Sequence, residues 1–139
     1  MTVLGVTRSR DPAESSASGG TVGEGAGFNI ADVAVDRHVR TGHGDDIAIR
    51  WIGRDRADLD DPLDITFSML ARRSSRFASA LRRHDIGAGT VVSTVLGRVP
   101  DLYVTALGTW KAGCVFAAVS AASGPEPAAD RLRLGRARV

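Results

Sequence analysis

The side chains able to hold a metal, attack an electrophile or grip a phosphate are few and scattered in this chain. Its three histidines are His38, His43 and His84. A metal site needs ligands at helical or hairpin spacing with carboxylate support. Only His43, beside Asp45 and Asp46, approaches that, and its setting between Gly42 and Gly44 marks a solvated turn. The adjacent pairs Asp45/Asp46 and Asp60/Asp61 point their carboxylates apart, which suits turns better than acid–base work. Cys114 opens an apolar stretch and reads as a core thiol, not a nucleophile. No serine occupies a Gly-x-Ser-x-Gly elbow.

The glycines of residues 19–27 have the look of a phosphate cradle, but a working cradle follows a strand and opens a helix. Nothing strand-like precedes them, and Lys111, the sole lysine, follows Trp110 and so completes no Gly-Lys-Ser/Thr. The segment reads as linker. Gly87-Ala88-Gly89 stands between a helix and a strand, the reverse order for a dinucleotide fingerprint, and reads as a turn. Arginines cluster at Arg72, Arg73, Arg76, Arg82 and Arg83, and again at Arg131, Arg133, Arg136 and Arg138. Phosphate-backbone binding competes here with a solvated helix face, and the lack of interleaved aromatics favours the solvated face. No catalytic, cofactor-binding or metal-ligating residue is assigned on these patterns.

The elements that would have to position any site belong to one modest domain, since 139 residues and 14.6 kDa leave no room for two. Hydrophobic residues at 43% and charged residues at 24% give a globular balance. No apolar run approaches the ~18 residues of a membrane span, and no signal peptide is visible, so a cytoplasmic protein without a membrane partner is expected. A single cysteine excludes an internal disulfide and a cysteine-based zinc cluster. The net charge is only +2, while the isoelectric point of about 9.3 reflects arginine, which stays protonated at high pH. A nucleic-acid partner is therefore not expected.

Along the chain, residues 1–27 are expected to form a flexible extension, because the Ser-, Gly- and Ala-rich stretch from Thr7 onward has no apolar period. An ordered α/β unit is expected over residues 28–139. Asn29 is placed to cap a helix carrying Ile30, Val33, Ala34 and Val39. Residues 47–52 read as a strand, with residues 64–67 returning antiparallel. Thr66 then starts a helix with Phe67, Leu70, Ser74, Phe77, Ala78 and Leu81 on one stripe, stopped by Gly87. Residues 90–96 and 115–119 read as parallel strands buried on both faces. A helix from Pro100 to Trp110, closed by Gly113, joins them in a right-handed βαβ crossover. A last helix follows Gly124-Pro125.

This order of pieces resembles the opening of acetyl-CoA synthetases in the adenylate-forming superfamily. The likeness is carried by Phe28-Asn29-Ile30-Ala31-Asp32 with Ala34-Val35-Asp36-Arg37-His38, and by Ile47-Ala48-Ile49-Arg50-Trp51-Ile52-Gly53. It continues in Ile65-Thr66-Phe67 and the Arg76-Phe77-Ala78 helix. Its sharpest stretch is GRVPDLYVTALGTWKAGCVFAAVS, residues 97–120, followed by Gly124-Pro125-Glu126-Pro127 and Arg131-Leu132. The resemblance implies a partial, N-terminal subdomain of the adenylate-forming fold, with a βαβ crossover and flanking helices. It further implies an AMP-forming acetate or short-chain acyl-CoA ligase, whose full-length members use ATP, Mg2+ and CoA. They adenylate a carboxylate and then form a thioester.

That family's triphosphate loop, adenine motif, hinge and C-terminal lysine have no counterpart in these residues. Lys111 belongs to the end of the crossover helix and does not replace the lysine. The resemblance thus implies a truncated fragment, inactive alone and binding no cofactor by itself. Two other readings stand beside it: a complementing subunit docking on the missing remainder of a split ligase, and a non-catalytic arginine-rich binding module. The chain departs from the family pattern at Met69, where a Glu usually completes a capping box with Thr66, and at Thr90, Ser120, Ala121, Ala122, Ser123, Arg133 and Arg136. Strands needing neighbours that the fragment lacks predict poor solubility or loose packing.

Overall fold

A computed structural model describes residues 3–7, 28–53 and 62–135. The helix that Asn29 opens does start there: the Asn29 side-chain oxygen accepts the Ala31 N–H at 3.0 Å, and the Asn29 carbonyl accepts from Asp32 and Val33. It is not uniform. A π-helical turn, Asp32–Asp36, runs into the short α-helix α1 (Arg37–Arg40), which turns Val35 into the core and Asp36 toward a neighbouring helix.

Strand β2 (Ile47–Trp51) pairs antiparallel with β3 (Leu63–Thr66), with an irregularity between Ile47 and Ile49. The cross-strand pair Arg50–Asp64 forms a two-pronged ion pair at 2.6 and 2.7 Å. Thr66 ends β3 and caps α2 (Phe67–Arg83), its Oγ1 accepting the Met69 N–H at 3.3 Å. Met69 has no carboxylate to return to the Thr66 amide, so the cap is half a capping box. The pattern puts the stop of α2 at Gly87, but the helix ends at Arg83. Asp85, a residue type that tolerates the left-handed region, turns the chain at φ 57° before the glycine is reached.

Strand β4 (Val91–Leu96), helix α3 (Pro100–Lys111) and strand β5 (Val115–Ser120) form the expected crossover, with β4 and β5 parallel from Val91/Val115 to Leu96/Ser120. Gly113, at φ +74°, reverses the chain between α3 and β5. A 3-10 turn, Ala121–Ser123, leads into α4 (Pro125–Leu134).

Two features differ from expectation. Val3–Thr7, inside the stretch read as extension, is a strand, β1, paired antiparallel with β4 from Val3/Val95 to Thr7/Val91. Backbone pairing along an open strand edge needs no amphipathic signal, so composition did not reveal it. Residues 8–27, the rest of that extension, lie outside the described residues. The second concerns β5, expected to be buried on both faces. β4 is flanked on both sides, in the order β1-β4-β5, and buries Val92, Ser93 and Thr94. β5 has a neighbour on one side only among the described residues, and Val115 is 51% exposed.

The core has two centres. Ala31, Val35, Ile65, Leu70, Val104 and Leu107 make one; Ala78, Leu81, Val92, Ala112 and Cys114 make the other, and Phe77 packs against both. Helices α2 and α3 approach closely because Gly108 meets Ser74. A Cβ at position 108 would lie 2.7 Å from the Ser74 carbonyl oxygen and 2.8 Å from the Phe77 ring. Ser74 is fully buried and folds its hydroxyl back onto the Leu70 carbonyl at 2.8 Å, as small polar residues inside helices do.

Candidate functional site

Polar side chains converge in a cleft of about 330 Å³ between the π-helical turn, α2 and the end of α3. Its walls carry Asn29, Asp32, Asp36, Ser75, Arg82 and Lys111. Lys111 ends the largely buried α3, and its side chain is 10% exposed. Its ammonium donates to Asp36 Oδ1 at 2.6 Å, to Ser75 Oγ at 3.1 Å and to the Ala71 carbonyl at 3.3 Å. All three protons are thereby engaged. The α3 carbonyls nearby are also taken: Arg82 donates to the Lys111 carbonyl at 2.6 Å, and the Asn29 amide to that of Trp110 at 2.8 Å.

At the cleft mouth, Arg40 binds Asp32 through two bonds of 2.6 and 2.9 Å. The hydrogen bonds from Arg40 hold the Asp32 carboxyl below its ordinary 3.8 and raise the guanidinium in turn. Asp32 and Asp36 are thus each paired with a cation, while Arg82 donates to a backbone carbonyl. The cleft is accordingly a poor fit for a nucleotide polyphosphate: its only lysine is committed to protein acceptors, and Asp32 and Asp36 bring two carboxylates to one wall. What the arrangement does is tie the segment beginning at Asn29, helix α2 and the end of α3 into one knot.

Elsewhere the residues singled out by type are separated. His43 Nδ1 lies 3.0 Å from Asp46 Oδ2 on an exposed turn, while Asp45 stands apart from that pair. His38 stacks on Phe67 with ring centroids 4.4 Å apart, and His84 caps α2. Among the described residues, no three His, Cys, Asp or Glu side chains gather where a metal ion could sit. The Cys114 thiol is buried and donates to the Gly87 carbonyl at 3.1 Å, and burial pushes its pKa up from an ordinary 9.0. Gly87-Ala88-Gly89 forms a turn, with Gly89 at φ +77° and its N–H on the Gly113 carbonyl. Arg131 reaches Ser123 and Arg133 reaches Asp130, both on the surface of α4. The glycines of residues 19–27, Asp60, Asp61, Arg136 and Arg138 lie outside the described residues.

Residue types did not announce the Lys111–Asp36 pair, which joins positions 75 apart in sequence. The one available signal was a lone lysine closing an apolar helix, where a charge must find a partner or reach water.

Residues 35–139, which hold most of this knot, match the model of the AMP-binding enzyme family, and the chain belongs to that family. It is 33% identical over 105 residues to acetyl-coenzyme A synthetase 1 of Pseudomonas aeruginosa, an alignment covering 76% of this chain. It is 36% identical over 116 residues to the acetyl-coenzyme A synthetase of Halorhodospira halophila, covering 84% of this chain, and 34% identical over 109 residues to that of Drosophila melanogaster, covering 78%. The chain spans only 16–17% of the length of these relatives. It therefore matches a small part of an AMP-forming ligase. No helix among the described residues is long and apolar enough to cross a membrane.

Proposed function

We propose that this chain is the N-terminal portion of an AMP-forming acetate or short-chain acyl-CoA ligase, in which it supplies scaffold and not chemistry. The observation that carries the reading is the family match over residues 35–139 joined to a span of one-sixth of the relatives' length. The full reaction would take ATP, Mg2+ and CoA, with adenylation turning a poor leaving group of the carboxylate into a good one. The commitment of Lys111 to protein acceptors supports a scaffolding role, since charge developing on a transferred phosphate needs donors not already engaged by the protein.

The outer edge of β5, which has no neighbour among the described residues, supports action together with the remainder of a ligase, supplied on the same or on a separate polypeptide. A parallel strand of this kind is stable when a further strand and covering helices lie against it. A cytoplasmic location accompanies this reading.

The test is pyrophosphate release from acetate, ATP and Mg2+. The purified 139-residue chain is expected to release none above the blank. Added to a Pseudomonas aeruginosa acetyl-coenzyme A synthetase lacking the matching segment, it is expected to co-purify and restore measurable release. Release by the chain alone, or neither rescue nor co-purification, overturns the proposal.

A further inference from the structure

Helix α2 is chemically lopsided in a way that neither the core nor the cleft accounts for. Its 17 residues include five arginines and no aspartate or glutamate. Leu70, Ser74, Ala78 and Leu81 face inward. At 100° per residue, Arg72, Arg76 and Arg83 fall within about 40° of one another on the opposite side, with Ser79 completing the row and Arg73 and Arg82 at its flanks. All five arginines are exposed. Arg82 is tied to the Lys111 carbonyl, whereas the side chains of Arg72, Arg73, Arg76 and Arg83 have no hydrogen-bond or ion-pair partner among the described residues.

Among the other exposed arginines, Arg40, Arg50 and Arg133 each hold a carboxylate at 2.9 Å or less, while Arg37, Arg98 and Arg131 hold none among the described residues. Like charges three and four residues apart on one helix repel one another, so the row costs stability when unpartnered. Its members recur at intervals of four, three and four residues, the spacing that keeps a straight seam along a helix of about 16 Å.

We infer that the outer face of α2 is a docking surface for an acidic helix of another polypeptide, one that sets carboxylates at matching intervals against Arg72, Arg76 and Arg83. Guanidinium forks pair with carboxylates in a planar, two-pronged fashion, and a helix lying along α2 meets the whole row at once. A single-stranded nucleic acid would use the same charges, but it would gain from aromatic platforms beside them, and binding of a duplex is one outcome of the test. The outward stripe holds only arginine and serine. The inference is independent of the ligase reading, because it rests on α2 alone.

The test uses the full chain and a synthetic helical peptide with glutamate at positions i, i+4, i+7 and i+11, alongside its glutamine counterpart and a duplex DNA of about the same length. Binding is followed by anisotropy of the labelled ligand at about 50 and about 200 mM salt. The glutamate peptide is expected to bind at least tenfold more tightly than the glutamine peptide and to weaken as salt rises. Joint substitution Arg72→Gln, Arg76→Gln and Arg83→Gln is expected to abolish the preference, while Arg→Lys at the same three positions retains part of it. Far-UV dichroism and Trp51 and Trp110 fluorescence report whether each variant keeps the fold. Equal binding of the two peptides, tighter binding of DNA than of the glutamate peptide at equal salt, or an unchanged preference in the folded Gln variant overturns the inference.

Discussion

Lys111 Nζ sits 2.6 Å from Asp36 Oδ1, joining the last residue of α3 to the last residue of the π-helical turn across most of the described fold. The lysine side chain is 10% exposed and the aspartate 29%, so each is largely removed from water and relies on the other. Breaking such a pair from one side leaves a half-buried charge unpaired, whereas removing both partners does not.

Lys111→Met is therefore expected to lower stability by about 2 kcal/mol, less than for a fully buried pair because Asp36 still reaches solvent. The double substitution Lys111→Met with Asp36→Leu is expected to recover at least half of that. Urea unfolding midpoints at constant m-value measure both. Equal losses in the single and double variants would contradict a coupled pair.

Gly108 is a close approach of α3 to α2. A methyl group there would press on the Ser74 carbonyl and the Phe77 ring at under 3.0 Å, and backbone cannot step aside cheaply. Gly108→Ala is expected to destabilise by about 1–3 kcal/mol despite the better helix propensity of alanine. Gly87→Ala, where nothing lies within 4 Å, serves as the matched control and is expected to be neutral or slightly stabilising. Thermal melts of the pair decide it.

The outer edge of β5 is expected to make the isolated chain self-associate. Val115 and Ala118 are exposed on that strand, and unpaired edges template further pairing. Val115→Lys with Ala118→Lys is expected to raise the concentration at which sedimentation velocity first shows oligomers. A sharp, concentration-independent melt of the unsubstituted monomer would count against this account of the edge.

Acid sensitivity follows from two surface carboxylates. Hydrogen bonds from Arg40 and Arg50 hold Asp32 and Asp64, respectively, below their ordinary 3.8. A carboxyl with a lowered folded pKa adds stability above the unfolded value and loses it as pH falls through the folded one. The acid limb of stability should accordingly steepen below pH 3.8, and Asp32→Asn together with Asp64→Asn should flatten it. Denaturant midpoints across the acid range provide the reading.

Cys114 works in the opposite direction. Burial raises its thiol pKa, so the folded chain holds the proton longer than the unfolded one, and stability declines as pH climbs past 9.0. At neutral pH the thiol is expected to react with a disulfide reagent only slowly and to speed up sharply in urea. Fast reaction in the native state would place the thiol in solvent.

The local pieces were legible in the order of residues. The inward stripe of α2, the cap at Thr66, the parallel pairing of β4 with β5 and the breaks at Gly42 and Gly113 all follow from periodicity and backbone preference, which act over a few residues. The wording of residues 97–120 likewise carried the family. The packed chain settled the pairing of β1 with β4, the exposure of β5, the early end of α2 at Arg83 and the meeting of Asp36 with Lys111. Those outcomes depend on which distant segment arrives beside each residue. An edge strand and a lone lysine look the same in sequence whether or not a partner is there, and only the packed chain supplies or withholds it.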